Sequence, residues 1–258
     1  MQKEETKFSS SIVFEGMTSI RAVLNGGYSE NNDRKIEKIL YDPEKTAKIG
    51  KNLGYLKAIS SEKGFTVEEK KREYLDDITL GNSHGGLVAL CSERTIPYLT
   101  DEEDISENGF YVMIEGIEDP YNFGYSLRSL YPCGCDGIIL SERNWMSAAG
   151  VVCRSSAGAS ELFKMYKLGD ETLIDAFKNK GFNIVCADER TEKILGECEL
   201  KKPLLLIVGG EKRGISRALL SKADTLVRIP YEREFNASLS AASATTMFAY
   251  EIMRQNKK

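Results

Sequence analysis

From residue 108 onward, short apolar runs alternate with segments of helical periodicity, and this alternation limits the fold more than any other feature. Strands are predicted at Gly109–Glu115, Gly137–Leu140, Leu162–Met165, Asn183–Ala187, Leu204–Val208 and Thr225–Ile229. Helices are predicted at Tyr125–Tyr131, Ala148–Arg154, Glu171–Lys180, Ser216–Lys222 and Ala241–Gln255. Strands and helices at this spacing make an α/β fold with a parallel sheet and helices on both faces. Ligands of such sheets bind beyond the carboxyl ends of the strands.

One stretch at such an end carries unusual residues. After the run PLLLIV comes GGEKRGIS, residues 209–216. Gly209, Gly214 and Ser216 fit the phosphate-loop pattern G-x-x-x-x-G-K-[ST], but its lysine position holds Ile215. That lysine reaches the β- and γ-phosphates, and isoleucine cannot. Glu211 adds a carboxylate that would repel an anion. Asp188, following the run NIVCA, has the place of a magnesium-binding acid, yet without the lysine a nucleotide triphosphatase is disfavoured. Two readings stay open: a backbone cradle for a positively charged ligand such as a sulfonium, or a structural turn.

The first 100 residues are patterned differently. Helical spacing is predicted at Ser19–Leu24, Asp33–Leu40, Pro43–Lys57 and Thr66–Leu75, with Asp33 and Thr66 as N-caps. Short strands are predicted at Ser11–Phe14 and Leu87–Leu90, with a glycine-rich turn between Leu80 and Leu87. This reads as a small α/β domain over 1–100. The segment DEEDISE, 101–107, is a linker candidate, and 108–258 forms the larger domain.

The net charge of −4 is held in that linker, which has five acids and no base, so neither folded part is acidic. An RNA partner is therefore not excluded by charge, and charge alone does not reveal one. A charged N-terminus with no apolar stretch after it predicts no signal peptide, and no run nears the roughly 20 residues of a membrane span, so a cytoplasmic location and no membrane are expected. One histidine and six cysteines without CxxC spacing supply no zinc set, so no metal is expected and the thiols read as reduced and structural.

Two further segments stand out. Asp119–Arg128 (DPYNFGYSLR) follows a strand and opens a helix, with Asn122 as a cap or turn residue. Ile229–Glu251 contains ASLSAASATT, in which Leu239 is the one large residue. Together with GGEKRG, the three segments in this order resemble the motifs of the SpoU (TrmH-type) RNA ribose 2′-O-methyltransferases of the SPOUT class. Asn122, Gly124 and Arg128 match N-x-G-x-x-x-R. Gly209, Glu211 and Gly214 match G-x-E-x-x-G. Ile229-Pro230, the run of small residues and Tyr250-Glu251 match the third motif. There, Ser238, Leu239 and Ser240 fall on S-L-N, so the family asparagine is a serine here, and Asn236 lies two residues before Ser238. SAGASE, 156–161, resembles a segment between the first and second motifs, and the N-terminal part resembles an L30e-type RNA-binding domain.

The resemblance implies a deep trefoil knot that holds S-adenosyl-L-methionine, and a homodimer formed through the C-terminal domain with its active site at the subunit interface. It implies cofactor contacts from Gly209, Gly210, Gly214, Ile229, Pro230 and Leu239. It assigns chemistry to Arg128, with Asn122, Glu211 and Ser238 around the ribose. The RNA, rRNA rather than tRNA, would meet Asn236 or Ser240 near the site, and Arg21, Arg34, Lys35 or His84 in the N-terminal domain. His84 reads also as a turn or packing residue. The expected activity is 2′-O-methylation of structured RNA. The alternative is a non-catalytic RNA-binding or ribosome-assembly factor that keeps the fold.

Overall fold

The computed structural model describes residues 11–80, 84–99, 105–117, 119–141, 145–170, 174–210 and 212–257. In chain order the elements are β1 (Val13–Glu15), α1 (Gly16–Gly26), β2 (Ile36–Tyr41), α2 (Thr46–Lys63), β3 (Thr66–Glu69), α3 (Arg72–Ile78), β4 (Leu87–Cys91), β5 (Phe110–Glu115), α4 (Pro120–Leu130) and β6 (Gly137–Leu140). They continue as α5 (Ala149–Ser155), α6 (Ala159–Leu162), β7 (Lys164–Lys167), α7 (Ile174–Asn179), β8 (Asn183–Ala187), β9 (Leu204–Gly209), α8 (Arg217–Lys222), β10 (Thr225–Val227) and α9 (Ala241–Asn256). The chain divides into two compact units, Met1–Thr95 with Trp145–Leu162, and Ile96–Asn144 with Phe163–Lys258.

The first unit is built on a four-stranded sheet of order β1-β4-β2-β3. Of the segment Asp33–Leu40, expected as a helix, Ile36–Leu40 belong to strand β2 and Asp33–Lys35 lead into it. Its Ile36 and Ile39 share one core, three residues apart, as they would on a helix. The cause is a register shift between Ile36 and Lys38 against β4, which puts an extra residue into the strand. Leu40 then faces a separate small core with Leu75 and Val88. Asp33 caps no helix; its carboxylate accepts the Thr95 N–H at 2.8 Å. Thr66 likewise starts β3, parallel to β2, and the helix begins only at Arg72.

Helices α5 and α6 belong to this unit and not to the larger one in which the sequence reading placed them. Their backbones pack at near contact: a Cβ on Gly150 would lie 1.9 Å from the Val13 carbonyl oxygen, and one on Gly26 2.0 Å from that of Glu161. Glu161 is withdrawn from water and pairs with Arg34 at 3.1 Å. Asn32 Nδ2 donates to the Glu161 carboxylate and carbonyl, both at 2.9 Å. Arg34 Nη1 donates to the carbonyls of Ser11 and Ser92. Arg34 is thus a core residue, which removes it as an RNA contact.

The second unit holds a six-stranded parallel sheet of order β10-β8-β9-β5-β6-β7. Leu204–Val208 of β9 are buried throughout, as a central strand covered on both faces requires. Tyr111, Phe177 and Phe182 form an edge-on aromatic cluster beneath it. β7 starts at Lys164, two residues later than expected, because Leu162 closes α6. Of the expected linker, residues 101–104 lie outside the described residues, and Ile105 is buried in this unit's core beside Leu99. Among the described residues no helix is long and apolar enough to cross a membrane.

Candidate functional site

Three chain segments meet at the carboxyl ends of β8, β9 and β10. β9 ends at Gly209, where Gly210 N–H donates to the Glu115 carbonyl at 2.7 Å and Gly214 N–H to the Gly210 carbonyl at 3.0 Å. The loop permits no side chain at either glycine. A Cβ on Gly209 would lie 2.4 Å from the Gly214 carbonyl carbon, and one on Gly210 2.1 Å from the Gly116 oxygen. Gly214 has φ +62°, a left-handed conformation that favours glycine. Ser216 caps α8 through its Oγ, and its own N–H donates to the Glu115 carboxylate at 2.8 Å.

Beside this loop opens a cavity of about 570 Å³, within the range of small-molecule sites. Gly209, Gly210, Gly214, Ile229, Ser238 and Leu239 all line it, so the structure gathers these six expected residues from two separate motifs into one wall. Val208, Ile215, Val227 and Phe248 give it an apolar floor. Pro230 and Asn236 are exposed and outside this wall. Ser240 is the N-cap of α9, its Oγ accepting the Ser243 N–H at 3.1 Å. Glu211 lies outside the described residues.

The wall also carries positive charge. The glycine stretch contains Lys212 and Arg213, and both line the cavity together with Arg228. Asp188 does not stand free to bind a metal. It pairs with Arg190 through two bonds, Nε to Oδ1 at 2.9 Å and Nη2 to Oδ2 at 2.6 Å, and this guanidinium holds its carboxyl below the usual range.

Arg128 and Asn122 are on α4. The helix starts at Pro120 and is capped by Asp119, which accepts N–H bonds from Tyr121 at 3.1 Å and Asn122 at 3.3 Å. Asn122 is thus an interior residue of the first turns and not the cap. Arg128 is exposed in the last turn. Neither residue lines the cavity of its own chain.

Of the residues expected to touch RNA in the first unit, Arg21 is exposed and its Nη2 donates to Asn52 Oδ1 at 3.3 Å. His84 is buried, which overturns its RNA role and supports the packing one. Gly86 N–H donates to its Nδ1 at 3.1 Å, so Nε2 carries the proton toward Asp76 Oδ1 at 2.9 Å. That bond holds the Asp76 carboxyl below its ordinary range. The six cysteines are unpaired, and burial pushes the Cys186 thiol up to about 12 and the Cys91, Cys135 and Cys153 thiols up as well.

Sequence reasoning missed Tyr231 and Phe235. Both line the cavity from the loop between Ile229 and Ser238, their rings 6.2 Å apart. Tyr231 Oη accepts the Leu239 N–H at 3.1 Å and so ties the two ends of that loop together. Two aromatics in a polar loop were the available signal.

The model of the SpoU rRNA Methylase family matches residues 109–250. The Bacillus subtilis protein YacO, of the TrmH family of tRNA/rRNA methyltransferases, is 27% identical over 229 residues, covering 87% of this chain and 90% of that protein. RlmB of Shewanella oneidensis, a 23S rRNA (guanosine-2′-O-)-methyltransferase, is 27% identical over 201 residues, covering 75% of this chain and 80% of its own length. Among solved structures, an AdoMet-bound rRNA methyltransferase from Sinorhizobium meliloti superposes with a TM-score of 0.76 at 24% identity, over 98% of this chain and 90% of that one.

Proposed function

The chain belongs to the SpoU rRNA Methylase family, and we propose that it transfers a methyl group from S-adenosylmethionine to a ribose 2′-hydroxyl of structured RNA, rRNA rather than tRNA. The observation that carries this reading is the single cavity wall made by Gly209, Gly210, Gly214, Ile229, Ser238 and Leu239. It stands on the ligand side of the sheet, beyond the strands' carboxyl ends.

The residues present fit the cofactor. The apolar floor suits an adenine ring, and Lys212, Arg213 and Arg228 suit the carboxylate of a methionine moiety. When bound, S-adenosylmethionine supplies an electrophilic methyl group on a positively charged sulfur. A ribose O2′ that accepts this methyl group would have to give up its proton, so the site must stabilise the oxyanion that develops there. The Arg128 guanidinium would stabilise the developing oxyanion or act with a substrate phosphate. Asn122, Glu211 and Ser238 would orient the ribose. RNA is implied because DNA has no 2′-hydroxyl.

Arg128 would reach the reaction from a second copy of the chain. α4 and α9 pack side by side, with Thr246 Oγ1 donating to Ser129 Oγ at 2.7 Å, and they leave Tyr121, Tyr125, Met247 and Tyr250 exposed. A homodimer through the C-terminal unit would cover those side chains. The small residues of Ala241–Thr246 support the close chain crossing of a trefoil knot. The first unit would act as an L30e-like RNA-binding domain, with Arg21 and Lys35 exposed on it.

A second reading rests on Ser240. It stands at the family asparagine and commits its hydroxyl to capping α9, which favours an RNA-binding factor without turnover. Incubation with labelled S-adenosylmethionine and total RNA from a strain lacking the protein separates the two. Labelled 2′-O-methyl ribose is the expected product. RNA binding without transfer to any RNA would leave only the second reading.

A further inference from the structure

Phe235 is the most exposed large apolar side chain among the described residues, at 62%. It lines the outer part of the cavity, together with Tyr231 and Ser238. A phenyl ring has no polar atom that gains from water, so this exposure leaves a flat apolar surface uncovered. The ring is not held by chance. Tyr231 is tied to Leu239 N–H through its Oη, and its ring lies 6.2 Å from that of Phe235 at 54°, within the range of aromatic pairs. The loop's own charges give it no pull on a polyanion, because Glu232 and Glu234 outnumber Arg233 and all three are exposed. What the loop presents to a ligand is the ring.

We propose that Phe235 is a stacking platform for an unpaired base of the acceptor RNA. The inference rests on the methyltransferase reading above. The acceptor oxygen must come to about 3 Å from the methyl carbon, so the nucleotide that carries it lies over the mouth of this cavity, next to Ser238. Bases of RNA loops that are splayed out of their own stack are covered by aromatic side chains. Every base has a π-face, so one ring engages an unpaired strand without selecting a single base. The buried floor of Val208, Ile215, Val227 and Phe248 stays with the cofactor, while Phe235 faces the entering strand.

The test uses the full chain with Phe235→Trp and reads tryptophan fluorescence. The wild-type chain, whose one tryptophan is Trp145, gives the background. Oligoadenylate is expected to quench the new tryptophan, oligouridylate to quench it less because a smaller base overlaps less, and heparin, which has charge but no base, to leave it unchanged. Phe235→Ala is expected to lose about tenfold in oligoadenylate affinity and to raise the KM for total RNA, with S-adenosylhomocysteine affinity close to wild type. Phe235→Tyr restores both RNA values. Absence of quenching, equal quenching by heparin, or wild-type RNA affinity in Phe235→Ala overturns the proposal. A parallel loss of S-adenosylhomocysteine affinity would assign the ring to the cofactor, and a loss of dimer in sedimentation would assign it to a subunit contact; either result also overturns it. Failure of the wild-type chain to bind S-adenosylhomocysteine is read separately and counts against the methyltransferase reading itself.

Discussion

The Arg34 guanidinium lies 3.1 Å from the Glu161 carboxylate, and both side chains are shielded from water. The pair joins residues 127 positions apart, on the strand-forming N-terminal segment and on α6. Removing one partner of a buried ion pair leaves the other charge uncompensated, which costs about 3–5 kcal/mol. Arg34→Ala is expected to lose that much stability in urea unfolding. A loss below 1 kcal/mol would show that the pair does not hold α6 to the sheet.

Gly210→Ala tests the cavity wall. The added Cβ would meet the Gly116 oxygen at 2.1 Å, so backbone must move. S-adenosylhomocysteine binding, measured by calorimetry, is expected to weaken at least tenfold while the thermal unfolding curve stays cooperative. Wild-type affinity in this variant would show that the loop does not form the cofactor wall.

Tyr231→Phe keeps the ring and deletes the acceptor of the Leu239 N–H. A typical hydrogen bond contributes about 1 kcal/mol. A several-fold weaker S-adenosylhomocysteine affinity is expected, with little change in melting temperature. Tyr231→Ala should weaken it further by also removing the ring that faces Phe235.

His84→Ala separates packing from RNA contact. The buried ring satisfies Gly86 N–H and Asp76, so its loss is expected to cost about 1–3 kcal/mol. RNA affinity per folded molecule, measured by filter binding below the melting temperature, should be unchanged. A selective loss of RNA affinity without loss of stability would restore the RNA role.

The Asp188–Arg190 pair makes a pH prediction. The folded pKa of Asp188 is depressed, so its contribution is present above the unfolded value of about 3.9 and disappears as pH falls through the folded value. Arg190→Ala is therefore expected to be slightly less stable than wild type at pH 6, the effect being small because solvent screens the exposed Arg190. The difference should shrink progressively in melts at pH values below the ordinary carboxylate range. A difference that grows on acidification would contradict the pairing.

Part of this protein was determined by sequence alone. The parallel sheet follows from the apolar runs at 110–114 and 204–208, since a strand buried on both faces needs apolar residues at every position. Gly209, Gly210 and Gly214 are readable as a tight backbone turn, because a missing Cβ is a local property. Other features were set by residues distant in the chain. Ile36 and Ile39 carry helical spacing, and only the extra residue opposite β4 makes that spacing fit a strand. Trp145–Leu162 belongs to the first unit because Gly150 and Glu161 fit against Val13, Gly26 and Arg34. The grouping of Lys212 and Arg213 with Ile229 and Leu239 around one cavity likewise depends on where the strands end in space. Periodicity records which faces a segment buries, but the partner that buries them is chosen by tertiary packing.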